Sequence, residues 1–578
     1  MTFQDGLSLT EWIYPPDDPI WLNKIVADFN IHPIIAQFFV ARGFTSTKEI
    51  HDYLYAKLPD LNDPQLFADM DKAVLRICEA IRTGEGVLIY GDNDVDGMTG
   101  TALLTEFLRS IGAHVFFYVP NRNSLKQSML LDALNYALQN RCTLLITVDC
   151  GVTAAKEIEE VVKHNVDVIV TDHHEPTAKI PHCIATLNPK LVTNSYPNRD
   201  ITGVGVAFKF AHAITNHFAA TNHPLFKKIV LKRYLDLVAL GTIADMGSLR
   251  GENRILVRYG LRQLRKTRRI GLTKLFSVCD LEASEITTID IASKVAPRLN
   301  SLGRVAEPRK GVELLLIRDA QAAETLAKEL DLFNIERQKI EQVVSEDVEK
   351  YIEAHPEILK EKAIVISSNQ WHSGVIPIVT TRICKQYNRP TVMIAIDGGI
   401  GKGSARTIRE FPLLPAFREN ADLLLNFGGH DYAAGLTIKE PHIEAFKANF
   451  LSSANHKLQE CDMVSKVQID AKADFSELSF DFMESLALLE PYGNENQPPL
   501  FYCDAKQAWP PRIVGRSHLK LYLEQNDRML EGIGFGMGKR IAELKKRNLV
   551  LRVLFTPTIN RFQNKLSIQL HVRDFKVL

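Results

Sequence analysis

Four apolar segments in the first 245 residues each end in aspartate, and this pattern restricts the fold more than any other feature of the chain. Between residues 70 and 172 these segments alternate with helical patterns and short connections, which is typical of βαβ units around a parallel sheet. The carboxyl ends of parallel strands open on one crevice, so we expect the acidic ends to lie close together. The four acidic ends are Asp92-Asn93-Asp94-Val95-Asp96-Gly97, Asp149, Asp172-His173-His174 and Asp245.

The hydrophobic periodicity predicts the elements of this first domain. We expect strands near 86–91, 114–119, 143–149 and 167–172, and helices near 98–111, 128–139 and 153–164. Helical patterns dominate from Val204 to Phe276, and Asp245 follows the predicted helix that contains Leu235 to Ala244. We expect the domain to close near residue 315.

The remainder of the chain contains three further parts. Between Gly311 and Pro356 neither Gly nor Pro occurs and apolar residues recur at helical spacing, which predicts one long connecting helix. A strand pattern from Ala363 opens a second, smaller α/β unit, and the alternation after Val467 fits a small β-barrel or a sandwich. The predicted fold is therefore α/β with a C-terminal β-barrel, and the predicted boundaries are 1–315, 316–358, 359–457 and 458–578.

Composition limits the classes of function. Lys plus Arg and Asp plus Glu each number 69, so any phosphate binding must come from local clusters rather than from overall charge. The segment from Met1 to Asn30 lacks a basic stretch followed by an apolar core, and no run of about 18 apolar residues occurs. We therefore expect a cytoplasmic protein that has no membrane partner.

The first acidic end places Asp92, Asp94 and Asp96 at alternate positions after a strand. An EF-hand calcium loop begins with the same D-x-D-x-D-G pattern and is the main alternative. That loop needs Glu six residues after its glycine, where this chain has Leu103, and it follows a helix rather than a strand. The sequence therefore favours a metal cluster built by several segments.

Each of the other acids has an ordinary explanation when it is taken alone. Asp149 could cap the helix that follows it, and Asp245 could be a surface residue near a helix end. Five aspartates and an imidazole in one crevice would nevertheless repel one another unless cations lay between them. Oxygen ligands with one imidazole suit Mn²⁺ or Mg²⁺, and two such ions about 3.5–4 Å apart promote phosphodiester hydrolysis.

These motifs, the last of which is Gly241-Thr242-Ile243-Ala244-Asp245, resemble those of the DHH phosphoesterase superfamily. The chain is similar to the bacterial single-strand-specific exonucleases of this superfamily over nearly its whole length. The resemblance implies a first metal ion held by Asp92, Asp94 and Asp149, and a second held by Asp96, Asp149, His173 and Asp245, with Asp149 bridging. It also implies a catalytic set of Asp149, His173 and His174, in which His174 contacts the scissile phosphate or assists the leaving group.

The second α/β unit carries glycine-rich segments whose backbone N–H groups can approach an anion. These segments are Trp371–Val375, Gly401–Thr407 and Gly428–Gly435. Taken alone, Gly-Gly before His430 is equally typical of a tight turn. Together the segments resemble the DHHA1 domain that accompanies DHH domains. The resemblance implies that Ser404, Arg406, Gly429 and His430 bind the terminal 5′ phosphate or its neighbour, with His372 and Arg382 as further candidates.

Two basic elements lie in the first domain. The segment Ala296–Arg304 resembles the family motif Pro-Arg-x-Asn-x-x-Gly-Arg, which implies that Arg298, Asn300 and Arg304 contact phosphate; salt bridges are the alternative for both arginines. The run from Arg258 to Arg269 contains six Lys and Arg residues. This run either tracks DNA or forms a solvated helix face.

The resemblance implies a function. It predicts a single-stranded-DNA-specific exonuclease that works 5′ to 3′, releases 5′ mononucleotides and serves DNA recombination and repair. The implied cofactors are two divalent ions, Mn²⁺ or Mg²⁺. The implied partners are single-stranded DNA, single-strand-binding protein and a RecQ-type helicase, and we expect a monomer. The predicted barrel resembles an oligonucleotide-binding (OB) fold, which in general grips single strands.

Two other functions fit parts of the pattern. The same metal cluster could act on short oligonucleotides, cyclic dinucleotides or small phosphate esters, although such substrates need no barrel. A noncatalytic DNA-binding or scaffold protein predicts missing ligands, whereas all six expected positions are occupied.

Three positions depart from the family pattern. The segment after Asn121-Arg122 lacks the usual Gly-Tyr-Gly, which puts strand contacts there in doubt. Asn93 stands where many members have Tyr. Pro377 replaces a usual Gly and is expected to rigidify the start of the following helix.

Overall fold

The structure is a computed structural model that describes residues 10–121, 129–546, 548–562 and 565–578. Its chain forms two compact units. The first unit contains Leu58–Ser248 and Glu252–Ser465, and the second contains Thr10–Lys57, Leu249–Gly251 and Lys466–Leu578. The N-terminal segment therefore belongs to the unit of the C-terminal barrel, whereas the sequence groups it with the first domain.

The N-terminal segment forms one strand and three helices. These are β1 (Thr10–Ile13), α1 (Pro19–Phe29), α2 (Pro33–Ala41) and α3 (Thr47–Tyr55). Helix α2 is apolar on nearly all sides, and most of its residues are buried. Its Phe38 and Phe39 share one apolar core with Phe482, Phe501 and Phe555 near the other end of the chain.

The first unit opens with alternating helices and strands, as the sequence predicts. They are α4 (Met70–Thr83), β2 (Gly86–Gly91), α5 (Val95–Ser110), β3 (His114–Tyr118), α6 (Met129–Gln139), β4 (Cys142–Val148), α7 (Ala155–Lys163), β5 (Asp167–Thr171) and β6 (Ala185–Leu187). The five strands form one parallel sheet in the order β3-β2-β4-β5-β6. The strand order reverses between β2 and β4, and such a switch point is where ligands bind in open α/β sheets.

A helical region and one long helix complete this half of the unit. The helices are α8 (Gly203–Ala220), α9 (Leu235–Ala244), α10 (Gly251–Leu264), α11 (Ile270–Val278), α12 (Thr288–Asp290), α13 (Ala296–Val305), α14 (Arg309–Leu316) and α15 (Ala320–Ala354). The predicted connecting helix is α15, and it begins later than expected because Asp319 caps it by accepting from Ala322 N at 2.6 Å. None of the described helices combines the length and apolarity that crossing a membrane requires.

The second α/β half contains a mixed sheet. Its elements are β7 (Ile364–Ser368), α16 (Ile376–Tyr387), β8 (Thr391–Asp397), β9 (Ile400–Arg406), α17 (Leu413–Arg418), β10 (Leu424–His430), β11 (Ala433–Lys439) and α18 (Ile443–Lys457). The strand order is β10-β11-β9-β8-β7, and β7 and β8 are the parallel pair. The antiparallel pairs place β9 and β10 on either side of β11.

The C-terminal part of the second unit contains a barrel and the elements that flank it. Its elements are β12 (Ser465–Gln468), β13 (Ala471–Lys472), α19 (Phe480–Leu486), β14 (Phe501–Val514), β15 (His518–Gln525), β16 (Arg528–Gly534), β17 (Val550–Phe562) and β18 (Lys565–Val577). Strand β14 pairs with both β15 and β17, which closes the order β14-β15-β16-β18-β17 into a ring. The predicted barrel is thereby confirmed over the alternative sandwich.

Candidate active site

The loop after β2 and the first turn of α5 together carry three predicted metal ligands. Asp94 is the N-cap of α5, and its Oδ1 accepts from Gly97 N at 3.1 Å. A Cβ at Gly97 would lie 2.5 Å from the carbonyl oxygen of Asp92, so glycine is needed where the loop folds back on itself. The D-x-D-x-D-G sequence therefore forms a strand-to-helix turn, in contrast to the helix-to-loop entry of an EF-hand.

The N-terminus of α8 orients Asp96. The backbone N–H groups of Gly203 and Val204 donate to its Oδ2 and Oδ1 at 2.7 and 2.9 Å. A Cβ at Gly203 would come within 2.6 Å of Asp149 Oδ1, so glycine lets the helix end approach two carboxylates. The N-terminal end of a helix favours negative charge, which makes α8 part of the site.

Asp149 follows β4 at the switch point of the sheet. It adopts a left-handed backbone conformation with φ 61°, and its amide donates to Thr171 O at 2.9 Å. This hydrogen bond ties the turn after β4 to the end of β5. The side chain of Asp149 is buried, so its carboxylate faces the interior of the crevice rather than solvent.

The triplet after β5 is organised by its aspartate. Buried Asp172 accepts hydrogen bonds from the backbone amides of Val152, His173 and His174, and from His174 Nδ1 at 2.8 Å. Burial opposes ionisation of Asp172, but the hydrogen bond and charge of His174 outweigh it and lower the pKa of this carboxyl group. Asp172 therefore holds the two histidines instead of joining the metal ligands.

The side chains of the six predicted metal ligands converge in two adjacent groups. His173 Nε2 lies 3.0 Å from Asp149 Oδ1, which links the groups. Potential ligand atoms lie within 4.8 Å of one another in the set Asp92, Asp94 and Asp149 and in the set Asp96, His173 and Asp245.

Two observations show that this cluster fits divalent cations. Asp149 Oδ1 and His173 Nε2 are buried side by side, yet neither atom has a hydrogen-bond partner within the described structure. Burial and the charges of neighbouring aspartates also raise the pKa of Asp96 and Asp149 well above the ordinary range. Burial and the charge of Asp94 raise the pKa of Asp245 to about 7. Carboxylates in this arrangement stay ionised at neutral pH when cations compensate their charge.

The two adjacent histidines differ in charge. Burial and the charge of His174 lower the pKa of His173 to about 3, so His173 is neutral at neutral pH, as a metal ligand must be. Burial acts in the same direction on His174, but its hydrogen bond to Asp172 and the charges of Asp172 and Asp92 raise its pKa to about 9. His174 is therefore a cation beside the cluster.

A cleft of about 410 Å³ joins the metal loop to the second α/β half of the same unit. Its walls include a carboxylate of the metal cluster, Asp94, and the predicted phosphate ligand Ser404. The polar side chains that line it are Asn93, Asp94, Asn300 and Arg304 from the first half, and Ser373, Lys402 and Ser404 from the second.

Arg406 is a desolvated cation next to Ser404. Its Nη1 donates to Ala405 O at 2.8 Å and to Ser404 Oγ at 3.3 Å. Burial lowers the pKa of its guanidinium, and no carboxylate among the described residues pairs with it. Such a cation favours binding of an external anion.

His430 lies at the end of β10 and faces the metal half. Its ring is nearly parallel to that of His174, with the centroids 6.3 Å apart and the planes at 13°. Gly429 has φ 131°, and a Cβ there would lie 2.5 Å from Ala433 O, so the predicted glycine is required by a close approach of β11. Gly428 and Gly429 therefore lie within a strand, not in the tight turn that the sequence left open.

Two predicted phosphate ligands have acidic partners instead. Arg298 Nε donates to Asp331 Oδ1 at 2.8 Å, which is the salt bridge expected as the alternative. Arg382 forms an exposed ion pair of 3.3 Å with Glu349. Neither arginine lines the cleft.

The remaining predicted phosphate ligands support the walls of the cleft. Arg304 Nη1 donates to Gly374 O at 2.6 Å, which connects the two halves of the unit. Asn300 Oδ1 accepts from Val95 N at 3.1 Å and so braces the start of α5. His372 is exposed, and its Nδ1 accepts from Gly374 N at 3.1 Å.

Several residues at the site were not assigned from the sequence. Asp172 was visible only as a neighbour of the histidines, and Lys402 only as part of a glycine-rich segment. Pro377 lies in the first turn of α16 and also lines the cleft. The segment 122–128, where the Gly-Tyr-Gly is lacking, lies outside the described residues.

A parallel sheet with an acidic cluster at its switch point and a cation beside the adjoining cleft defines a metal-dependent phosphoesterase. Comparison with known proteins agrees. Family profiles described as "DHH family, N-terminal domain", "DHHA1 domain" and "RecJ OB domain" match residues 86–242, 360–460 and 469–574.

Individual relatives cover nearly the whole chain. The single-stranded-DNA-specific exonuclease RecJ of Haemophilus influenzae is 32% identical over 563 residues, which are 94% of this chain and 96% of the relative. Crystal structures of RecJ from Thermus thermophilus in complex with Mn²⁺ and with Mg²⁺ match with TM-scores of 0.82 and 0.74 at 29% and 28% identity. Each match covers 98% of this chain, and 79% and 78% of the respective relatives.

The chain belongs to the RecJ family. It is a metal-dependent hydrolase of the exonuclease class, and Mn²⁺ or Mg²⁺ is its cofactor.

Proposed function

We propose that this chain degrades single-stranded DNA from the 5′ end by two-metal hydrolysis and releases 5′ mononucleotides in DNA recombination and repair. The observation that carries the proposal is the cleft of about 410 Å³ whose walls hold both Asp94 and Ser404. It places a cluster that fits divalent ions next to anion-binding groups. The name of the Haemophilus relative, a single-stranded-DNA-specific exonuclease, supports the choice of substrate.

The six clustered side chains supply the metal sites of the proposal. When bound, two divalent ions provide a nucleophilic water at neutral pH and neutralise charge on the phosphoryl oxygens. Asp149 connects the two ligand groups through its contact with His173, so it is the proposed bridging ligand. We assign one ion to Asp92, Asp94 and Asp149, and the other to Asp96, Asp149, His173 and Asp245.

His174 is the proposed proton-bearing group that contacts the scissile phosphate. Its Nδ1 is hydrogen-bonded to Asp172, so Nε2 is the nitrogen that can donate to a phosphate oxygen or to the leaving oxygen. A pKa of about 9 keeps the ring protonated at neutral pH. The nearby ring of His430 lies on the opposite half and can complete the contact with the phosphate.

Recognition of the 5′ end is assigned to the second half. A terminal phosphate carries roughly 1.5 to 2 negative charges at neutral pH and so gains more from a desolvated cation than an internal phosphodiester does. Arg406 is such a cation, with Ser404 3.3 Å from its guanidinium and Lys402 on the same strand. These groups favour a chain end over the middle of a strand.

The barrel offers a stacking surface for unpaired bases. Trp509 on β14 is opposite Tyr522 on β15, and 59% of the Trp509 surface is exposed. Arg512 and Lys520 lie 5.5 and 5.4 Å from the centre of the Tyr522 ring. Aromatic rings flanked by cations are typical of surfaces that bind single strands. Because bases in a duplex are already stacked, this surface favours single-stranded substrate.

A digestion series tests the proposal. Single-stranded DNA, blunt duplex and RNA of one sequence, each labelled at the 3′ end, are incubated with Mn²⁺ or Mg²⁺. We expect progressive shortening of the single-stranded DNA from its 5′ end with mononucleotide products, and slow or no cleavage of the duplex. Release of the 3′ label as the first product, or equal rates on a dinucleotide and a long strand, would contradict the proposal.

Asp149→Ala provides the inactive control for this series. We expect it to lose metal-dependent hydrolysis while it still binds single-stranded DNA, because Arg406 and the barrel surface are unchanged. Full activity of a folded Asp149→Ala protein would exclude the bridging role.

Family membership also suggests partners and a location. We propose that single-strand-binding protein and a RecQ-type helicase supply or present the strand, and that the enzyme acts as a monomer in the cytoplasm on DNA. Sedimentation of the pure protein, and titration with each partner in the presence of single-stranded DNA, would test these assignments.

A further inference from the structure

A second cavity, of about 900 Å³, lies in the first unit at the far ends of two helices that carry metal ligands. Helix α5 begins beside the metal cluster and ends at the cavity, where Arg109 and Ser110 line it. Helix α9 runs the other way, from Asp236 at the cavity to Asp245 at the cluster. The cavity is thus separate from the cleft described above.

Part of its lining is electrically balanced. Arg269 Nε donates to Asp236 Oδ2 at 2.8 Å, and both Arg269 and Arg233 pair with Glu106. Two arginines therefore compensate two carboxylates, and the charge of the cavity comes from its other residues.

Four further cations line the same cavity: Arg109, Lys266, Arg268 and Arg318. Within the described ranges none of them forms an ion pair with a carboxylate. Lys266 and Arg268 belong to the basic run that the sequence leaves undecided between DNA tracking and a solvated face. Their position on a cavity gives this part of the run a more specific role.

Arg109 is held in a way that suits an anionic ligand. Its Nε and Nη2 both donate to the carbonyl oxygen of Val115, at 3.2 and 2.7 Å. This anchors the guanidinium at the cavity without neutralising it, and partial burial lowers its pKa. The guanidinium remains exposed at the cavity, where it can form charge-assisted hydrogen bonds with an anion.

The shape and the remaining lining narrow the class of ligand. A volume of about 900 Å³ lies within the usual range of small-molecule sites. Ile270, Leu315 and Ile317 add an apolar surface beside the cations. A fitting ligand has several negative charges and an apolar part.

We propose that this cavity is a binding site for a nucleoside polyphosphate. The phosphates bind among Arg109, Lys266, Arg268 and Arg318, and the base packs against the apolar side chains. About 20 Å of α5 separates Arg109 from Asp96, and about 14 Å of α9 separates Asp236 from Asp245. A ligand at these helix ends therefore acts on the same two rigid elements that position metal ligands.

Calorimetric titration of the full chain with ATP in EDTA tests the site, because EDTA removes metal-mediated binding of phosphate. We expect one saturable site in the wild type, with affinity about tenfold weaker in Arg268→Glu. Arg262→Glu is the matched control: it changes the charge equally, and Arg262 packs on Tyr259 outside the cavity. Arg406→Ala tests whether ATP instead binds in the cleft. We expect that neither Arg262→Glu nor Arg406→Ala changes the affinity for ATP.

The proposal is overturned if ATP shows no saturable binding, if Arg262→Glu weakens binding as much as Arg268→Glu, or if Arg406→Ala alone removes it.

Inorganic tripolyphosphate and a short oligothymidylate are titrated in parallel. We expect weaker binding of tripolyphosphate and no competition by the oligonucleotide. Equal affinities for tripolyphosphate and ATP would show that the nucleoside does not contribute to binding. Displacement of ATP by the oligonucleotide would show that the cavity binds DNA. Arg318→Glu repeats the test from a second element in case Arg268→Glu fails to fold.

Discussion

The two sheets of the first unit hold uncompensated charge of opposite sign. At the ends of β2 and β4, burial and mutual repulsion raise the pKa of Asp96 and Asp149, whereas on β9 burial lowers the pKa of Arg406. Lys209, another buried charge of the same unit, has its partner Glu252 at 2.7 Å. One sheet therefore favours cations and the other an anion, and the proposed binding of a phosphate strand beside two metal ions requires both.

The largest expected effect comes from removing charge at the acidic sheet. In Asp149→Asn, hydrolysis of single-stranded DNA should fall by far more than the roughly 10- to 100-fold that outer positions around a metal cost. In metal-free buffer the same variant should melt at a higher temperature than the wild type, because one of the repelling buried carboxylates is gone. Initial rates and thermal melts in EDTA check both.

Asp71→Asn is the control for this comparison, since Asp71 is an exposed residue of α4. It should leave the rate and the metal-free melting temperature unchanged. An Asp149→Asn protein that melts below the wild type in EDTA would show that the cluster is not under repulsion.

The next effect concerns the residue that keeps His174 charged. Burial favours neutral His174, and Asp172 reverses this to give a pKa of about 9, so the protonated ring is present below about pH 9 and is lost above it. In Asp172→Asn we expect kcat to fall roughly 10- to 100-fold and the alkaline limb of its pH profile to move to lower pH. An unchanged alkaline limb would mean that another group titrates there.

A smaller effect is expected on the basic sheet. Arg406→Ala should raise KM for a 5′-phosphorylated strand by about tenfold, since charged hydrogen bonds to the phosphate are lost, and should change KM for the 5′-hydroxyl strand less. Arg409→Ala, at an exposed position shortly after β9, is the matched control. Equal changes for both strands would remove end recognition from Arg406.

The smallest effect should come from an arginine whose charge is already compensated. Arg382→Ala breaks an exposed pair with Glu349, so we expect KM and melting temperature to change little, with KM within about twofold of the wild type. Steady-state kinetics on phosphorylated single-stranded DNA measures this. A loss as large as that of Arg406→Ala would place Arg382 on the strand's path after all.

The fold and the acidic half of the site were accessible from the sequence for one physical reason. A buried parallel strand appears in the sequence as a continuous apolar run. The residue that follows its carboxyl end lies at the same edge of the sheet as those that follow the other parallel strands. Asp92 and Asp149 could therefore be placed together before any coordinates were known. The long helix α15 and the barrel were predicted in the same way from their periodicity.

Other features of the fold and of the site depend on which helix and sheet surfaces pack against each other, and the spacing of residues along the sequence does not determine this. Arg298 and Asp331 are 33 positions apart on different helices, and the sequence alone left a phosphate contact and a salt bridge equally open. The N–H groups of α8 that hold Asp96 are backbone atoms and leave no side-chain signal. The apolar pattern of α2 predicts burial without naming its partner near the other end of the chain.

That last partnership has a consequence for how the protein is made. Arg42, at the end of α2, donates to Asp470 at 2.8 Å across a separation of 428 residues. At roughly 5 to 20 residues per second, a ribosome that has added Arg42 needs about 20 to 90 seconds to reach Asp470. The helices α1 to α3 therefore remain without this part of their core until the segment around Asp470 has been synthesised.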